Sequence, residues 1–440
     1  MNRRSLLPLM VLTAPACQWV VGSYTSSDGG ADAGLGGDSA TGDAPSTNDG
    51  PPVGVETGTD ARPEAGLEAG LEAGEDAGCT PGEQQCSGAE IETCTSDGTW
   101  GPPWPCATGV CADDACSGAT SGASNPSCTQ GGDGLTNCGA GSESCCASAE
   151  VAGGSYDRTY ESVDGGATGL SDPASVSTLR LDKYLVTVGR FRQFVEAWND
   201  GNATPAAGSG KHAHLNGNQG LVNAGVSGSV AYETGWASSD DDSIDPTDFN
   251  LTGCVIDEDG STVTFSTWTP SPEGQDTLPI NGVNWYEAYA FCIWDGGFLP
   301  SEAEWEYAAA AGSQQQQYPW GSTDPGDSSD YAIYGCNYPL GSDGVCTTIA
   351  SIAPVGAAPA GAGAWGQLDL AGEVFEWTMD DYSAYVDPCV DCADLSGASA
   401  KAIRGGAFPY PSTSLQASAR DSTIPLSRNG SFGFRCARTP

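Results

Sequence analysis

The sequence predicts an irregular α+β domain, low in regular secondary structure, that follows a disordered acidic linker and a small disulfide-rich module. Helical patterns and strand-like runs lie in a C-terminal part rich in Gly, Pro and Asp, a composition that favours turns. Six cysteines fall within residues 79–116, whereas residues 18–78 contain almost no large apolar side chain. These observations divide the chain into residues 1–17, 18–78, 79–146 and 147–440.

The first residues resemble an export signal. Arg3 and Arg4 form a basic start, residues 6–13 form an apolar stretch, and small residues up to Ala16 precede Cys17. The pattern is similar to a bacterial lipoprotein signal, which implies lipidation of Cys17 and attachment to the outer membrane or the cell surface. The alternative is ordinary secretory cleavage near Ala16, which would give a secreted protein.

Composition predicts that residues 18–78 are disordered, because such a segment cannot bury enough apolar surface to offset the entropy of ordering. Within the module over 79–146, residues 79–116 have few bulky core candidates, so we expect their six cysteines to form disulfide bonds. A zinc site is the weaker alternative, since residues 79–116 contain no histidine. Seventeen cysteines remain when Cys17 is set aside, and this odd number predicts one free or intermolecular thiol.

The charge of the chain excludes one class of partner. With 57 acidic and 15 basic residues, the formal net charge is −42. Such a surface repels the phosphate backbone, so we expect no nucleic-acid partner.

Three amphipathic helices are predicted in the C-terminal domain, each bounded by residues typical of caps and stops. These residues are Thr187 and Gly201 for the first helix, Gly296 and Gly297 for the second, and Ser301, Glu304 and Gly312 for the third. The run 262–265 is typical of a short strand.

Four ordered segments carry a family resemblance: residues 279–312, 318–321, 368–380 and 404–438. Together they resemble the formylglycine-generating, or sulfatase-modifying factor, family. The resemblance implies a compact fold related to C-type lectins. Phe298 departs from the pattern, because an arginine usually precedes the Leu-Pro pair of the first segment.

The oxidases of that family carry two cysteines five residues apart in the last segment, where this chain has Tyr410 and Leu415. A thiolate is both nucleophile and metal ligand, and neither replacement can supply one. We therefore expect no copper or iron and no formylglycine formation. Cys436 matches a position where relatives often carry a structural cysteine.

The related iron-dependent sulfoxide synthases need a cluster of histidines, and this chain has only His212 and His214. On a strand the two side chains would share one face, which permits metal binding. The loop-like surroundings and the lack of a third ligand favour a solvent-exposed pair instead.

A structural calcium ion is the cofactor that the resemblance implies. The ligands would be Glu373, where the family usually has Asn, the backbone of Val374 and the carboxylate of Glu376. The alternative is that Glu376 forms an ion pair with an arginine such as Arg404.

Two further sets of residues have alternative interpretations. The acidic run 238–242 offers calcium ligands but is more typical of a solvated loop, and Trp236 and Trp268 are either core residues or platforms for a sugar. Arg404, Arg420 and Arg435 are candidate ligand contacts, because arginine forks bind carboxylates, or else ion pairs within the fold.

The sequence therefore predicts an exported, lipid-anchored surface protein that binds a peptide, a glycan or another surface partner. The alternative function is an oxidoreductase of the formylglycine-generating or sulfoxide-synthase type that uses different ligands.

Overall fold

The computed structural model describes residues 125–139, 143–163, 166–226, 230–253, 255–256, 263–340 and 344–440, and the backbone of five short strands before residue 125. In these parts of the chain we find no helix with the length and apolarity of a membrane span. The predicted signal with Cys17, the linker over 18–78 and the cysteine side chains of 79–116 lie outside the described residues.

Four α-helices are described: α1 (Val188–Asn199), α2 (Asp248–Thr252), α3 (Trp285–Trp294) and α4 (Glu302–Ala309). The strands are β1 (Gln84–Ser87), β2 (Glu90–Thr93), β3 (Trp104–Pro105), β4 (Cys111–Ala112), β5 (Ala115–Cys116), β6 (Ser148–Val151), β7 (Gly154–Val163), β8 (Gly166–Val176), β9 (Leu179–Asp182), β10 (Val222–Asn223), β11 (Val255–Ile256), β12 (Val263–Thr264), β13 (Phe375–Asp381), β14 (Cys389–Val390), β15 (Cys392–Ala393), β16 (Lys401–Arg404), β17 (Arg420–Thr423), β18 (Phe432–Gly433) and β19 (Ala437–Arg438).

The three predicted helices are confirmed as α1, α3 and α4, and side-chain caps explain where they begin. The Thr187 side chain accepts a hydrogen bond from the backbone of Arg190 at 3.1 Å. Capping boxes start α3, with Asn284 and Glu287, and α4, with Ser301 and Glu304. The short helix α2 was not predicted, because its few residues leave no helical period to detect.

A four-stranded sheet of order β17-β16-β13-β18 lies at the centre of the C-terminal domain. Its β13–β16 and β16–β17 pairs are antiparallel and its β13–β18 pair is parallel. All seven residues of β13 are buried. The smaller sheets have the orders β14-β8-β7, β19-β9-β6, β10-β15, β11-β12, β1-β2-β3 and β4-β5. Short helices and many small sheets confirm the predicted irregular α+β class.

Two apolar clusters fill the core. One joins α1 and α3 to the central sheet through stacked and edge-on aromatic rings, including Phe191, Phe291 and Phe434. The other lies between α4 and the β7–β8 hairpin, where Tyr156 packs against Tyr307.

Disulfide bonds are present in the described part of the chain, as the cysteine content predicts, and one of them joins segments that are distant in sequence. The bond between Cys292 and Cys436 ties α3 to the C-terminal segment across 144 residues, which confirms the structural role of Cys436. The others in the described part of the chain are Cys128–Cys146, Cys138–Cys145, Cys336–Cys346 and Cys389–Cys392.

Candidate functional site

A small, shallow polar cleft lies where the end of β13 meets the start of α4. Parts of the chain that are far apart in sequence supply its walls. The lining residues are Arg158, Ala224, Glu302, Asp380, Asp381, Ser383, Ala384, Tyr385, Val386, Cys392, Asp394 and Arg420.

Glu302, the first residue of α4, is the centre of the ion pairs in this cleft. Arg420 binds its carboxylate with two hydrogen bonds, from Nε at 2.9 Å and from Nη2 at 2.6 Å. Arg404 reaches the same carboxylate from the protein interior, with Nε donating to Oε1 at 2.8 Å. Arg404 also donates to Glu306, one turn further along α4, at 2.7 Å. The i, i+4 spacing of Glu302 and Glu306 is the signal in the sequence that could have revealed this cluster.

The ring of Tyr385 forms one wall of the cleft between two guanidinium groups. Arg158 lies 4.2 Å and Arg420 lies 4.1 Å from its centroid, within the range of cation–π attraction. Its hydroxyl accepts a hydrogen bond from Arg404 at 2.5 Å and donates one to Glu306 at 3.2 Å. These contacts hold the ring in one orientation.

Two carboxyl groups near the cleft have unusual acidity. Burial, together with the negative charge of Glu302, raises the pKa of Asp380 to about 7. Burial likewise raises the pKa of Glu306 to about 7, although Arg404 opposes the shift. Asp380 accepts backbone hydrogen bonds from Glu302 at 2.7 Å and from Asp394 at 3.0 Å. Both carboxyl groups can therefore exchange protons near neutral pH.

The three arginines that the sequence singles out have different surroundings. Arg404 and Arg435 are fully buried, and each directs all five of its N–H donors to protein acceptors. Arg420 lines the cleft and donates to Glu302 and to the backbone of Ser383. Ligand contact by these arginines stays a prediction, and Arg420 is the member of the set that a ligand in the cleft could reach.

The side chain of Glu376 forms an ion pair with an arginine, which is the alternative to calcium binding given above. The arginine is Arg435 and not Arg404. Arg435 donates to both carboxylate oxygens, at 2.7 and 2.9 Å, inside the core. Glu373 is buried and accepts a hydrogen bond from the backbone of Ala353 at 2.8 Å. The predicted calcium ligands are Glu373, Val374 and Glu376. In this arrangement Arg435 takes both carboxylate oxygens of Glu376, so Glu376 could bind a cation only after releasing Arg435.

The expectation of a solvent-exposed histidine pair is wrong for His212. This side chain is fully buried, with Nδ1 3.0 Å from Glu233 and Nε2 3.0 Å from Glu304. Burial alone would lower its pKa, but Glu304 and Glu233 together raise the pKa of His212 to about 10. The ring lies 3.9 Å from that of Phe298.

His214 is half-buried, both its ring nitrogens lack a hydrogen-bond partner among the described residues, and burial lowers its pKa. Within the described ranges we find no cluster of three or more His, Cys, Asp or Glu side chains placed to hold a metal ion.

The residues at the two oxidase positions differ in burial: Leu415 lies inside the protein, whereas Tyr410 is 38% exposed. Leu415 is 1% exposed, in an apolar cluster with Tyr318 and Ala332. The ring of Tyr410 packs edge-on against Phe375 at 4.9 Å.

The two tryptophans that the sequence assigns either to the core or to a sugar platform are core residues. Trp236 and Trp268 are buried, and their ring N–H groups donate to Asp241 and Asp248.

Comparison with known proteins shows that residues 140–440 match the sulfatase-modifying factor enzyme 1-like domain family. A formylglycine-generating enzyme of Streptomyces coelicolor is 35% identical over 175 residues, which are 37% of this chain and 54% of that protein. The inactive C-alpha-formylglycine-generating enzyme 2 of Bos taurus is 33% identical over 160 residues, 36% of this chain and 50% of that protein.

A hercynine oxygenase of Mycobacterium tuberculosis is 33% identical over 173 residues, 36% of each chain. The chain thus spans about half the length, or less, of these curated relatives. The solved structure of PvdO from Pseudomonas aeruginosa overlaps 66% of this chain and 93% of its own at 20% identity, with a TM-score of 0.40 that supports no functional argument.

Proposed function

Because the chain belongs to the sulfatase-modifying factor enzyme 1-like family, we propose that it is a member that binds a partner rather than oxidising a cysteine. The observation that carries this proposal is the structure at the two oxidase positions. Leu415 is buried in an apolar cluster, and Tyr410 lies at the surface with its ring against Phe375, so neither position offers a thiolate to a metal or a substrate. One similar protein is itself named an inactive formylglycine-generating enzyme.

The cleft beside Glu302 is the binding site that we propose. It offers hydrogen-bond acceptors in Asp380 and Asp394 and a donor in Arg420. Hydrogen-bond donors and acceptors placed side by side suit a hydroxyl-rich ligand that docks against the mouth of the cleft. We therefore favour a terminal sugar of a surface glycan over a peptide.

Export and lipid anchoring at Cys17 are part of the same proposal. Five disulfide bonds in the described part of the chain suit an oxidising compartment. Replacing Cys17 with serine should abolish incorporation of a labelled fatty acid and release the protein from the membrane fraction. Incorporation that continues in this variant would contradict the anchor.

The oxidoreductase alternative gains no support from the histidines. His212 is held by Glu233 and Glu304 on its two ring nitrogens, so it has no lone pair to give to iron.

Two measurements test the proposal. The full chain, loaded with copper and given a peptide that carries a sulfatase-type cysteine motif, should leave that cysteine unchanged by mass spectrometry, while an active family member converts it. Conversion by this chain would overturn the proposal.

Binding to a glycan array should weaken about tenfold when Arg420 becomes glutamine, the loss expected from one charge-assisted contact. Lys183→Gln is the matched control, because it removes the same charge from a surface pair with Glu143. Equal binding by both variants would show that the cleft is not the site.

A further inference from the structure

Three Asn-X-Ser/Thr sequences in which X is not proline occur in the chain, and the structure separates one of them from the other two. Their asparagines are Asn202, Asn250 and Asn429. This sequence is the acceptor motif for N-glycosylation, which attaches a bulky, solvated group and therefore needs an exposed site. So short a motif also arises by chance, so the surroundings of each asparagine decide whether it can be modified.

Asn202 lies directly after the end of α1. The backbone N–H of Gly201 donates to the carbonyl of Trp198 at 3.0 Å, and that of Asn202 donates to the carbonyl of Ala197 at 2.8 Å, the pattern of hydrogen bonds that closes a helix. Gly201 has a φ of +75°, and a Cβ added to it would meet nothing within 4 Å. The backbone before the acceptor amide is therefore fixed, and the space beside it is open.

The burial of the residues that follow alternates along the chain. Ala203 and Pro205 are buried, whereas Asn202 and Thr204 are exposed, and residues 202–206 belong to no helix or strand. Such alternation is typical of an extended chain, in which side chains two residues apart share a face. The amide of Asn202 and the hydroxyl of Thr204 are therefore both available to an enzyme that approaches from the solvent.

The other two motifs are engaged in the fold. Asn250 lies within α2, and its Nδ2 donates to the carbonyl and to the carboxylate of Asp245, at 2.8 and 2.7 Å. The third motif ends at Ser431, which is 1% exposed, and Oδ1 of Asn429 accepts a hydrogen bond from the backbone of Ser431 at 2.8 Å. In contrast, the side chain of Asn202 makes no hydrogen bond within the part of the chain that the structure describes.

We propose that Asn202 is the acceptor of an N-linked oligosaccharide, transferred from a polyprenyl-diphosphate-linked donor after export. The proposal rests on the export proposed above. In the transfer, Nδ2 of Asn202 forms a bond to the anomeric carbon of the first sugar. The bond from that carbon to the diphosphate oxygen breaks, polyprenyl diphosphate leaves, and the amide nitrogen loses one proton. Thr204 supplies the hydroxyl by which the transferring enzyme recognises the site.

The first test uses the folded full chain, produced without glycans, with a purified oligosaccharyltransferase and a polyprenyl-diphosphate oligosaccharide. Peptide mass spectrometry measures the occupancy of the three asparagines. We expect Asn202 to be modified at least about tenfold faster than Asn250 and Asn429, which need local unfolding first. Reduction and denaturation of the chain should remove most of this difference. Equal rates at the three sites of the folded chain, or no transfer to Asn202, would overturn the proposal.

The second test asks whether the motif itself directs the transfer. Asn202→Gln and Thr204→Ala should both abolish modification at this site, whereas Thr204→Ser keeps the hydroxyl and should keep the glycan. Both positions are exposed, so the near-ultraviolet circular dichroism of the variants should stay native. Asn250→Gln is the control and should leave the occupancy of Asn202 unchanged. A glycan that persists in Thr204→Ala would contradict the assignment.

A third measurement examines the chain isolated from its own cells. The peptide with Asn202 should carry the mass of an oligosaccharide, and the same digest shows whether the residues before Cys17 have been removed. An exported chain, with that segment removed and a bare Asn202, would overturn the proposal. The first two tests depend neither on export nor on glycan binding by the cleft, so a failure of the proposed function is distinguishable from a failure of this acceptor site.

Discussion

Replacing His212 with glutamine should change how the stability of this protein depends on pH. The imidazole lies between two buried carboxylates, with ring nitrogens 3.0 Å from Glu233 and 3.0 Å from Glu304. Glutamine keeps hydrogen-bonding capacity but carries no positive charge, so two buried carboxylates lose their shared cation. Removing one partner of a buried ion pair costs about 3–5 kcal/mol.

The size of the pH effect follows from the pKa of His212. The ordinary value is 6.5 and the value in the fold is about 10. Between these values the folded protein holds a proton that the unfolded chain has released, so stability falls as pH rises. The stabilising contribution is complete below pH 6.5 and is lost as pH passes through 10. At about 1.4 kcal/mol for each pKa unit, the difference corresponds to at most about 5 kcal/mol.

Chemical denaturation from about pH 6 to about pH 9.5 measures this slope in the wild type and in His212→Gln. The variant should lose the histidine part of the slope, whereas His214→Gln should keep it. The chain has only these two histidines, so isotope-labelled imidazole gives two assignable signals in NMR spectra. A His212 signal that titrates near its ordinary value, or equal slopes in the wild type and the variant, would refute the reasoning.

Other residues give predictions of the same kind. Replacing both Cys292 and Cys436 with serine should cost about 5 kcal/mol in urea unfolding because the closed loop spans 144 residues, whereas the Cys389/Cys392 double variant should cost about 2 kcal/mol. The wild type should lose stability as pH rises from about 4.5 to 7, because Glu306 keeps its proton in the fold, and Glu306→Gln should flatten that part of the curve. An excess of chelator should leave the melting temperature unchanged, since Arg435 occupies both oxygens of Glu376; a clear fall would instead support the calcium prediction. Phe298→Arg should destabilise the wild type, by placing a second cation beside His212, and should be much less harmful in His212→Gln, as a double-mutant cycle would measure.

The helices could be predicted from the sequence because their signals are local. The side chain of Thr187 caps α1 by accepting a hydrogen bond from the backbone of Arg190, three residues later in the sequence. The capping box of Ser301 and Glu304 has the same separation of three residues. Such patterns depend on backbone geometry within one turn and not on the rest of the fold.

The cleft could not be predicted in the same way, because its contacts join distant segments. Arg404 meets Glu302 across 102 residues, and Arg420 meets the same carboxylate across 118. The sequence indicates that arginines recur near the C-terminus, but three-dimensional packing decides which of them are saturated inside the protein and which one lines the cleft.

The burial of His212 depends on contacts between distant segments, which only the fold brings together. The family pattern that the sequence resembles has an arginine in place of Phe298, whose ring lies 3.9 Å from that of His212. The capping-box carboxylate of Glu304 and the neighbouring Glu233 still need a positive charge in this buried position, since an unpaired carboxylate there is costly. In this chain an imidazolium from a loop 92 residues away from Glu304 supplies that charge. The histidine is therefore committed to the fold, because each of its ring nitrogens lies against a buried carboxylate.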